Sequence, residues 1–336
     1  MRALVLDYSL SKLAEREVMA PPDPLEHEVR FRVLEAGICG TDRALSRFDI
    51  GYPPHGESTL VLGHEALGQV EQAGSASGFT AGDCVVPMVR RPCPEPCPRC
   101  ARGRWDLCAT GQYTERGIMG AHGYFADVAV DDARYLIRVP AAIRGVAVLV
   151  EPMSVVEKAI GAALRAHEEE PRTAIVIGCG PIGLLAALAL KARNLNVIVT
   201  SLEEETNPRA AVARQAGLEY TRQSPPPADL VFEATGAPEA GFQAVRLLAP
   251  CGVAVILGAM NGAGTFPFRD LILGNRKVIG AVNAPRQSFE DAIRDLQRMD
   301  RRVLSSFIER RPRGEVFASL SANPPQAVKL VHVLDA

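Results

Sequence analysis

The stretch Thr173–Gly183, TAIVIGCGPIG, limits the fold of this chain more than any other. Ala174 to Ile177 is a short apolar run of β type. Gly178, Gly180 and Gly183 follow at G-x-G-x-x-G spacing, with Pro181 and Ile182 inside the turn. Leu184 to Arg193 then continues as a helical pattern rich in Ala and Leu. Strand, glycine turn and helix in that order form the context in which such glycines bind a dinucleotide. The first glycine permits the tight turn, the second lets the backbone approach a pyrophosphate, and the third lets helix and strand pack closely. The helix N-terminus presents N–H groups and the positive end of its dipole to the phosphates. The competing reading is a purely structural strand-to-helix turn.

A chain of 336 residues has room for about two domains. Its 47% hydrophobic content argues against disorder, and a net charge of −2 gives no case for nucleic acid or a membrane surface. The basic pairs Arg90-Arg91 and Arg310-Arg311 are too small to change that and are expected at the solvated surface. The run Ala174–Leu190 is the most membrane-like, but Pro181 and its glycines fit a strand plus a buried helix. The segment MRALVLDYSL lacks the pattern of a secretory signal, so a cytoplasmic protein is expected. Four of the eight cysteines lie in one cluster, which suits metal-bound thiolates in a reducing compartment better than disulfides.

The first 35 residues alternate apolar and polar side chains as antiparallel strands do, and 60–90 continue in that vein with glycine punctuation, as in a β-barrel. Composition shifts near Pro140. Ala141–Ala166 is helical in pattern, and from Arg172 strands alternate with helices up to Gly258, which predicts a parallel sheet covered on both faces. A further strand at Lys277–Val282 would sit at the sheet edge or beyond, and Ser288–Met299 reads as an amphipathic helix. The tail reads as a β-like SSFIE, a proline-rich turn and a short helix over Gln326–Leu334.

Two constellations carry chemistry. Cys39 in AGICGTD, His64 and Glu65 in LGHEALGQV, and Glu151 opening EPMSV form a thiolate, imidazole and carboxylate set suited to Zn²⁺. Each alone has a plainer reading: a buried thiol, a structural histidine, Glu65 orienting a histidine, Glu151 capping a helix. Cys93, Cys97, Cys100 and Cys108 fall within sixteen positions. Four thiolates enclose one Zn²⁺ and leave no open position, so this site is structural; disulfides or free thiols are the alternative. Cys84, Cys179 and Cys251 read as cysteines without metal. After the second strand of the nucleotide fold, NVIVTS, comes Leu202-Glu203-Glu204-Glu205, and Glu203 stands 20 positions past Gly183. A carboxylate there accepts bonds from the adenosine ribose and repels a 2′-phosphate, so NAD is expected over NADP. A solvated acidic loop is the alternative.

CGTD, GHEALGQV, GDCVV, the cysteine lobe and the glycine turn, in that order, resemble the zinc-dependent medium-chain dehydrogenase superfamily across essentially the whole chain. TGQYTERGI, HGYFADVAVDDARYLIRVP, LVEPMSVVEKAI, FEATG and NRKVIGAVN are similar to its glucose (aldose) dehydrogenase branch. The resemblance implies an α/β protein: a GroES-like β-barrel catalytic domain over 1–150 and 287–336, with a structural-zinc lobe at about 90–112, and a doubly wound Rossmann domain over 151–286. It implies a catalytic zinc among Cys39, His64 and Glu65 or Glu151, and a second, structural zinc. Thr235 and Asn283 are implied at the cofactor, and Glu115 and Asn283 at the sugar; a surface salt bridge is Glu115's plainer role. Thr41, two residues past Cys39, would pass on the hydroxyl proton. Asp42 is expected to orient the zinc shell or a turn, and His122 to be structural. Hydride transfer from an aldose or polyol to NAD(P) is the expected reaction. A general secondary-alcohol dehydrogenase and a non-catalytic nucleotide-binding relative are the alternatives.

The chain departs from this pattern in places. The first gap of the lobe is three residues rather than two, and the usual relay histidine is Ala44. Val89 and Leu273 replace an Asn and a His of sugar-specific relatives, which opens the pocket to less polar alcohols. A homodimer or homotetramer is expected through the strand KVIGAVN.

Overall fold

The structure, a computed structural model, describes residues 1–258, 266, 268–321 and 327–335. The strand Glu28–Ile38 is the spine of the first part. Its alternating pattern buries Val29, Phe31 and Val33 completely, and it pairs with Ala66–Ala73, Val128–Asp132 and Lys329–Val333. Cys84–Pro87, Leu136–Val139 and Ile308–Pro312 complete a seven-stranded sheet. Arg2–Asp7, Lys12–Glu17 and Thr59–Val61 form a second sheet beside it. A small sheet of Arg90–Arg91, Thr114–Arg116 and Gly120–Ala121 carries the cysteine lobe, whose turns are short 3-10 segments at Cys100–Arg102 and Trp105–Leu107.

The second part is a six-stranded parallel sheet. Its spatial order is Glu219–Thr221, Asn196–Thr200, Thr173–Ile177, Ala228–Glu233, Leu248–Ile256 and Lys277–Gly280. Numbered along the chain this is 3-2-1-4-5-6, the doubly wound order of dinucleotide folds. Runs such as AIVI and VAV are buried on both sides because helices cover both faces. Lys277–Gly280 is the edge strand, as expected. Among the described residues no helix is long and apolar enough to cross a membrane.

Three local expectations change. The helical pattern Ala141–Ala166 divides into a 3-10 run, Ala141–Leu149, and the α-helix Val150–Ala166. SSFIE does not start a strand: Arg301–Phe307 is helical and the strand begins at Ile308. The helix expected over Gln326–Leu334 is instead the strand Lys329–Val333; Gln326 itself lies outside the described residues. Pairing with strands on both sides overrides local propensity there.

Candidate active site

Cys39 ends the spine strand and caps the helix Gly40–Ser46. Its Sγ accepts the Thr41 N–H at 3.2 Å, and its own N–H donates to Asp42 Oδ2 at 2.9 Å. The turn thereby holds the thiol facing His64 without using a backbone group twice. His64 and Glu65 lie between the strands Thr59–Val61 and Ala66–Ala73, and both are buried. His64 Nε2 stands 3.2 Å from Cys39 Sγ, while its Nδ1 faces Asp42 Oδ1 at 3.4 Å. Donor atoms of Cys39, His64 and Glu65 all lie within 4.8 Å of one another.

This donor set fits a cation. Two ligands of one tetrahedral Zn²⁺, a thiolate and an imidazole, stand about 3.6 Å apart. Burial disfavours a charged imidazole, yet the charges of Asp42 and Cys39 outweigh it and hold His64 well above its usual pKa. A positive charge is wanted between these groups. Glu151, in the first turn of Val150–Ala166, stands outside the 4.8 Å group. Burial and then the charge of Glu65 push its carboxyl up to about 8. One participant had no sequence signal: Lys329, only 1% exposed, forms an ion pair with Glu65.

The lobe brings Cys93, Cys97, Cys100 and Cys108 together, with all four Sγ atoms within 4.8 Å. Backbone N–H groups aim at the sulfurs: Cys97 N–H at Cys93 Sγ, 3.2 Å, and Ala109 N–H at Cys97 Sγ, 3.4 Å. Such donors, from Ala109 and Cys100, lower Cys97 to about 6, whereas burial pushes Cys100 up to about 12. Four crowded thiols need a cation before all can ionise.

The basic pair Arg90-Arg91 is not solvated, contrary to expectation. Arg90 is buried with Nε and Nη2 on Glu115 Oε1, both at 2.9 Å, and its guanidinium lies 3.7 Å over the Tyr113 ring. Arg91 reaches Asp131 and the Tyr124 hydroxyl. Each pair forms between strands distant in sequence, which adjacent charges alone do not reveal. Arg310 and Arg311 do stay near the surface, on Glu35 and Glu309. Glu115 is thus in a buried ion pair, and it also accepts a bond from Asn283 Nδ2 at 2.8 Å. Asn283 holds a left-handed φ of +58°, a conformation Asn tolerates, and its Oδ1 accepts the Ala284 N–H. His122 accepts the Val61 N–H and pairs with Glu57.

The glycine turn behaves as three different glycines. Gly178 has φ +105°, where a side chain is strained. A Cβ on Gly183 would lie 2.0 Å from Gly178 O, so helix and strand need its absence. Among the described residues, a Cβ on Gly180, at φ −76°, would meet nothing within 4 Å. No group among the described residues requires glycine there, and space is open beside the N-terminus of the helix Pro181–Ala192. Pro181 and Ile182 are partly exposed at that end. Thr235 overlies the turn and donates its N–H to the buried Glu233, 2.6 Å. Of the acidic run, Glu204 is exposed on Arg222, while Glu203 is partly buried. It accepts the Ser201 hydroxyl and lies 3.5 Å from Arg209 Nη1.

Comparison with known proteins agrees with this geometry. A family described as "Glucose dehydrogenase C-terminus" matches residues 144–332, and "Alcohol dehydrogenase GroES-like domain" matches 25–141. A glucose 1-dehydrogenase of Methanocella arvoryzae is 40% identical, with 88% of each chain covered. One from Thermoproteus tenax is 35% identical at the same coverage. The glucose dehydrogenase of Haloferax mediterranei, solved in complex with NADP, Zn and gluconolactone, superposes with a TM-score of 0.92 over 100% of both chains at 29% identity.

Proposed function

From the premise that the chain belongs to the zinc-dependent medium-chain dehydrogenases, in the glucose 1-dehydrogenase branch, we propose that it oxidises the ring C–OH of a glucose-like aldose to the lactone. It is a glucose 1-dehydrogenase-like zinc oxidoreductase that works with NAD or NADP. The observation that carries the sugar reading is the Glu115–Asn283 pair, two polar side chains joined at 2.8 Å. A carboxylate accepts bonds from two vicinal hydroxyls, and the amide adds a donor.

Cys39 and His64, with Glu65 or Glu151, would hold the catalytic zinc, and the four lobe cysteines the structural one. The catalytic metal supplies acidity to the substrate hydroxyl, and the nicotinamide accepts the hydride. The chain's own residues orient and neutralise. Asp42 ties the Cys39 turn and faces His64 Nδ1, which directs Nε2 toward the thiol. Thr41 begins the proton's way out, since Ala44 offers no relay. Gly178–Gly183 and Thr235 would receive the pyrophosphate end of the cofactor, and Asn283 would stand near its nicotinamide. Glu203, held beside the turn, would accept the adenosine ribose hydroxyls and make NAD the preferred cofactor. A higher kcat/KM with NADP than with NAD would overturn that preference.

Val89, buried beside Arg90, supports a second reading in which a less polar secondary alcohol is the substrate. A panel of aldoses, polyols and simple secondary alcohols, followed by NADH absorbance, decides between them. Highest kcat/KM on an aldose supports the first reading, and on a simple alcohol the second. The domain division at about residues 150 and 286, a cytoplasmic location and a homo-oligomer belong to the same proposal. Exposed Val278 and Val282 at the sheet edge favour the oligomer, and a monomer by light scattering would count against it.

A further inference from the structure

The cysteine lobe and the Glu115–Asn283 pair are joined by a closed ring of polar contacts. Asp106 lies in the lobe between Cys100 and Cys108, with its carboxylate fully buried. Its Oδ2 holds Lys158 Nζ at 2.9 Å. The same ammonium donates to Val282 O at 2.8 Å, the carbonyl that leads into Asn283. Asn283 Nδ2 reaches Glu115 Oε1. Arg90 donates from Nε to that oxygen and from Nη1 to the Asp106 carbonyl at 3.1 Å, which closes the circuit.

Both ends of Asp106 are therefore engaged. Its carboxylate fixes Asn283 through Lys158, and its carbonyl fixes Glu115 through Arg90. Arg104 grips the carboxylate as a fork, Nε and Nη2 each at 3.0 Å, and Trp105 Nε1 donates to Cys100 O at 3.1 Å, which sets Asp106 in the lobe frame. Asn tolerates this left-handed backbone, and the bond from Lys158 to the preceding carbonyl fixes where it presents the amide. Lys158 is 12% exposed and belongs to the helix that carries Glu151 in its first turn, so one helix serves the metal site and the ring.

We propose that Lys158 and Asp106 are positioning residues for Asn283 and Glu115, so that the cysteine lobe sets how tightly the sugar is held. The proposal rests on the reading that Glu115 and Asn283 meet the sugar. Lys158 touches neither substrate nor cofactor; it acts by holding the Val282 carbonyl, and through it the Asn283 amide.

The test uses the zinc-loaded enzyme with D-glucose and NAD. K158M is expected to raise KM for glucose about 10-fold, the loss of one buried charge-assisted bond. Its kcat should stay within about 2-fold of the wild type, and its NADH affinity by fluorescence titration, which Asn283 also serves, should fall by less than the glucose KM rises. D106N, which keeps the shape of the side chain, should act in the same direction. The double variant should be no worse than the single ones, because both cut one ring. K158R, which keeps charge and donors, should restore most of the glucose KM. E115Q separates the two levels of the claim. If E115Q raises KM while K158M and D106N leave it unchanged, the ring proposal is overturned. If E115Q itself leaves KM unchanged, the sugar reading fails beneath it. Equal losses in kcat and NADH affinity for K158M and D106N would mark a general folding role and also overturn the proposal.

Discussion

Gly183 and Gly180 should fail for opposite reasons when each is replaced by alanine. At Gly183 the new Cβ would sit 2.0 Å from Gly178 O and 3.0 Å from its carbonyl carbon, where ordinary contact begins at 3.4 Å. Both neighbours are backbone and cannot rotate aside, so helix and strand must separate by more than an ångström. Overpacking of that kind costs about 1–3 kcal/mol, and backbone crowding puts it at the upper end. G183A should therefore lower the Tm of the cofactor-free protein by roughly 5–10 °C. At Gly180 the Cβ meets nothing within 4 Å among the described residues, and φ −76° suits any residue. The fold loses only a helix-cap preference, about 1 kcal/mol at most. The Cβ would instead occupy the space beside the helix N-terminus, and loss of one charge-assisted bond to pyrophosphate weakens NADH binding about 10- to 150-fold. Thermal unfolding without cofactor and NADH fluorescence titration read the two effects separately. The reasoning is refuted if G180A destabilises the fold as much as G183A does while NADH affinity is unchanged.

Two more outcomes can be measured. Glu157 lies between Arg193, at 2.6 Å, and Asp295; burial and then Asp295 raise it to about 7 in spite of Arg193. A folded pKa above the ordinary 4.5 gives stability that is complete below the latter and lost as pH rises through the former. Wild-type unfolding free energy should fall by up to about 3 kcal/mol across that window, and E157Q should flatten the fall; equal slopes in urea titrations would contradict this. C100S should hold about one zinc per chain instead of two by atomic absorption, with a shifted emission from the sole tryptophan, Trp105, which bonds Cys100 O; two retained zinc ions would show that the lobe is not the second site.

What the sequence made legible was local or ordered. The glycine turn carries its strand and helix with it, and the lobe's cysteines sit within sixteen positions, so both can be read from spacing. Lys329 could not be read this way. It follows Glu65 by hundreds of residues and acquires meaning only when Lys329–Val333 pairs with the spine strand beside Gly37. The same pairing explains why a helix was expected in that tail: local propensity does not see two waiting strand edges. Arg90 and Arg91 looked like surface because their partners, Glu115 and Asp131, are 25 and 40 residues away. Buried ion pairs of high sequence separation have no pattern of their own, and the active-site surroundings of this chain are built largely from them.

That point bears on which carboxylate serves the catalytic metal. Glu65 already has a counter-ion in Lys329, whose ammonium is almost wholly buried. Among the described residues no cation pairs with Glu151, and burial beside Glu65 keeps its carboxyl protonated up to about pH 8. A cation arriving at the site gains most from the carboxyl that has none, so Glu151 is the expected oxygen ligand and Glu65 the anchor for Lys329. E65Q should then unpair a buried lysine and cost the metal-free protein about 3 kcal/mol, the lower end for broken buried pairs because Cys39 and Asp42 also attract the ammonium. E151Q replaces a neutral acid by its isostere, so metal-free stability should match the wild type below about pH 4.5, while zinc affinity falls by at least about 100-fold. As pH rises from 4.5 to about 8 the unfolded wild type ionises Glu151 while the fold resists it, so E151Q should become progressively the more stable of the two without metal. Metal-free thermal unfolding and competitive zinc titration give both quantities. If E65Q unfolds like the wild type and E151Q keeps its zinc, the assignment is reversed.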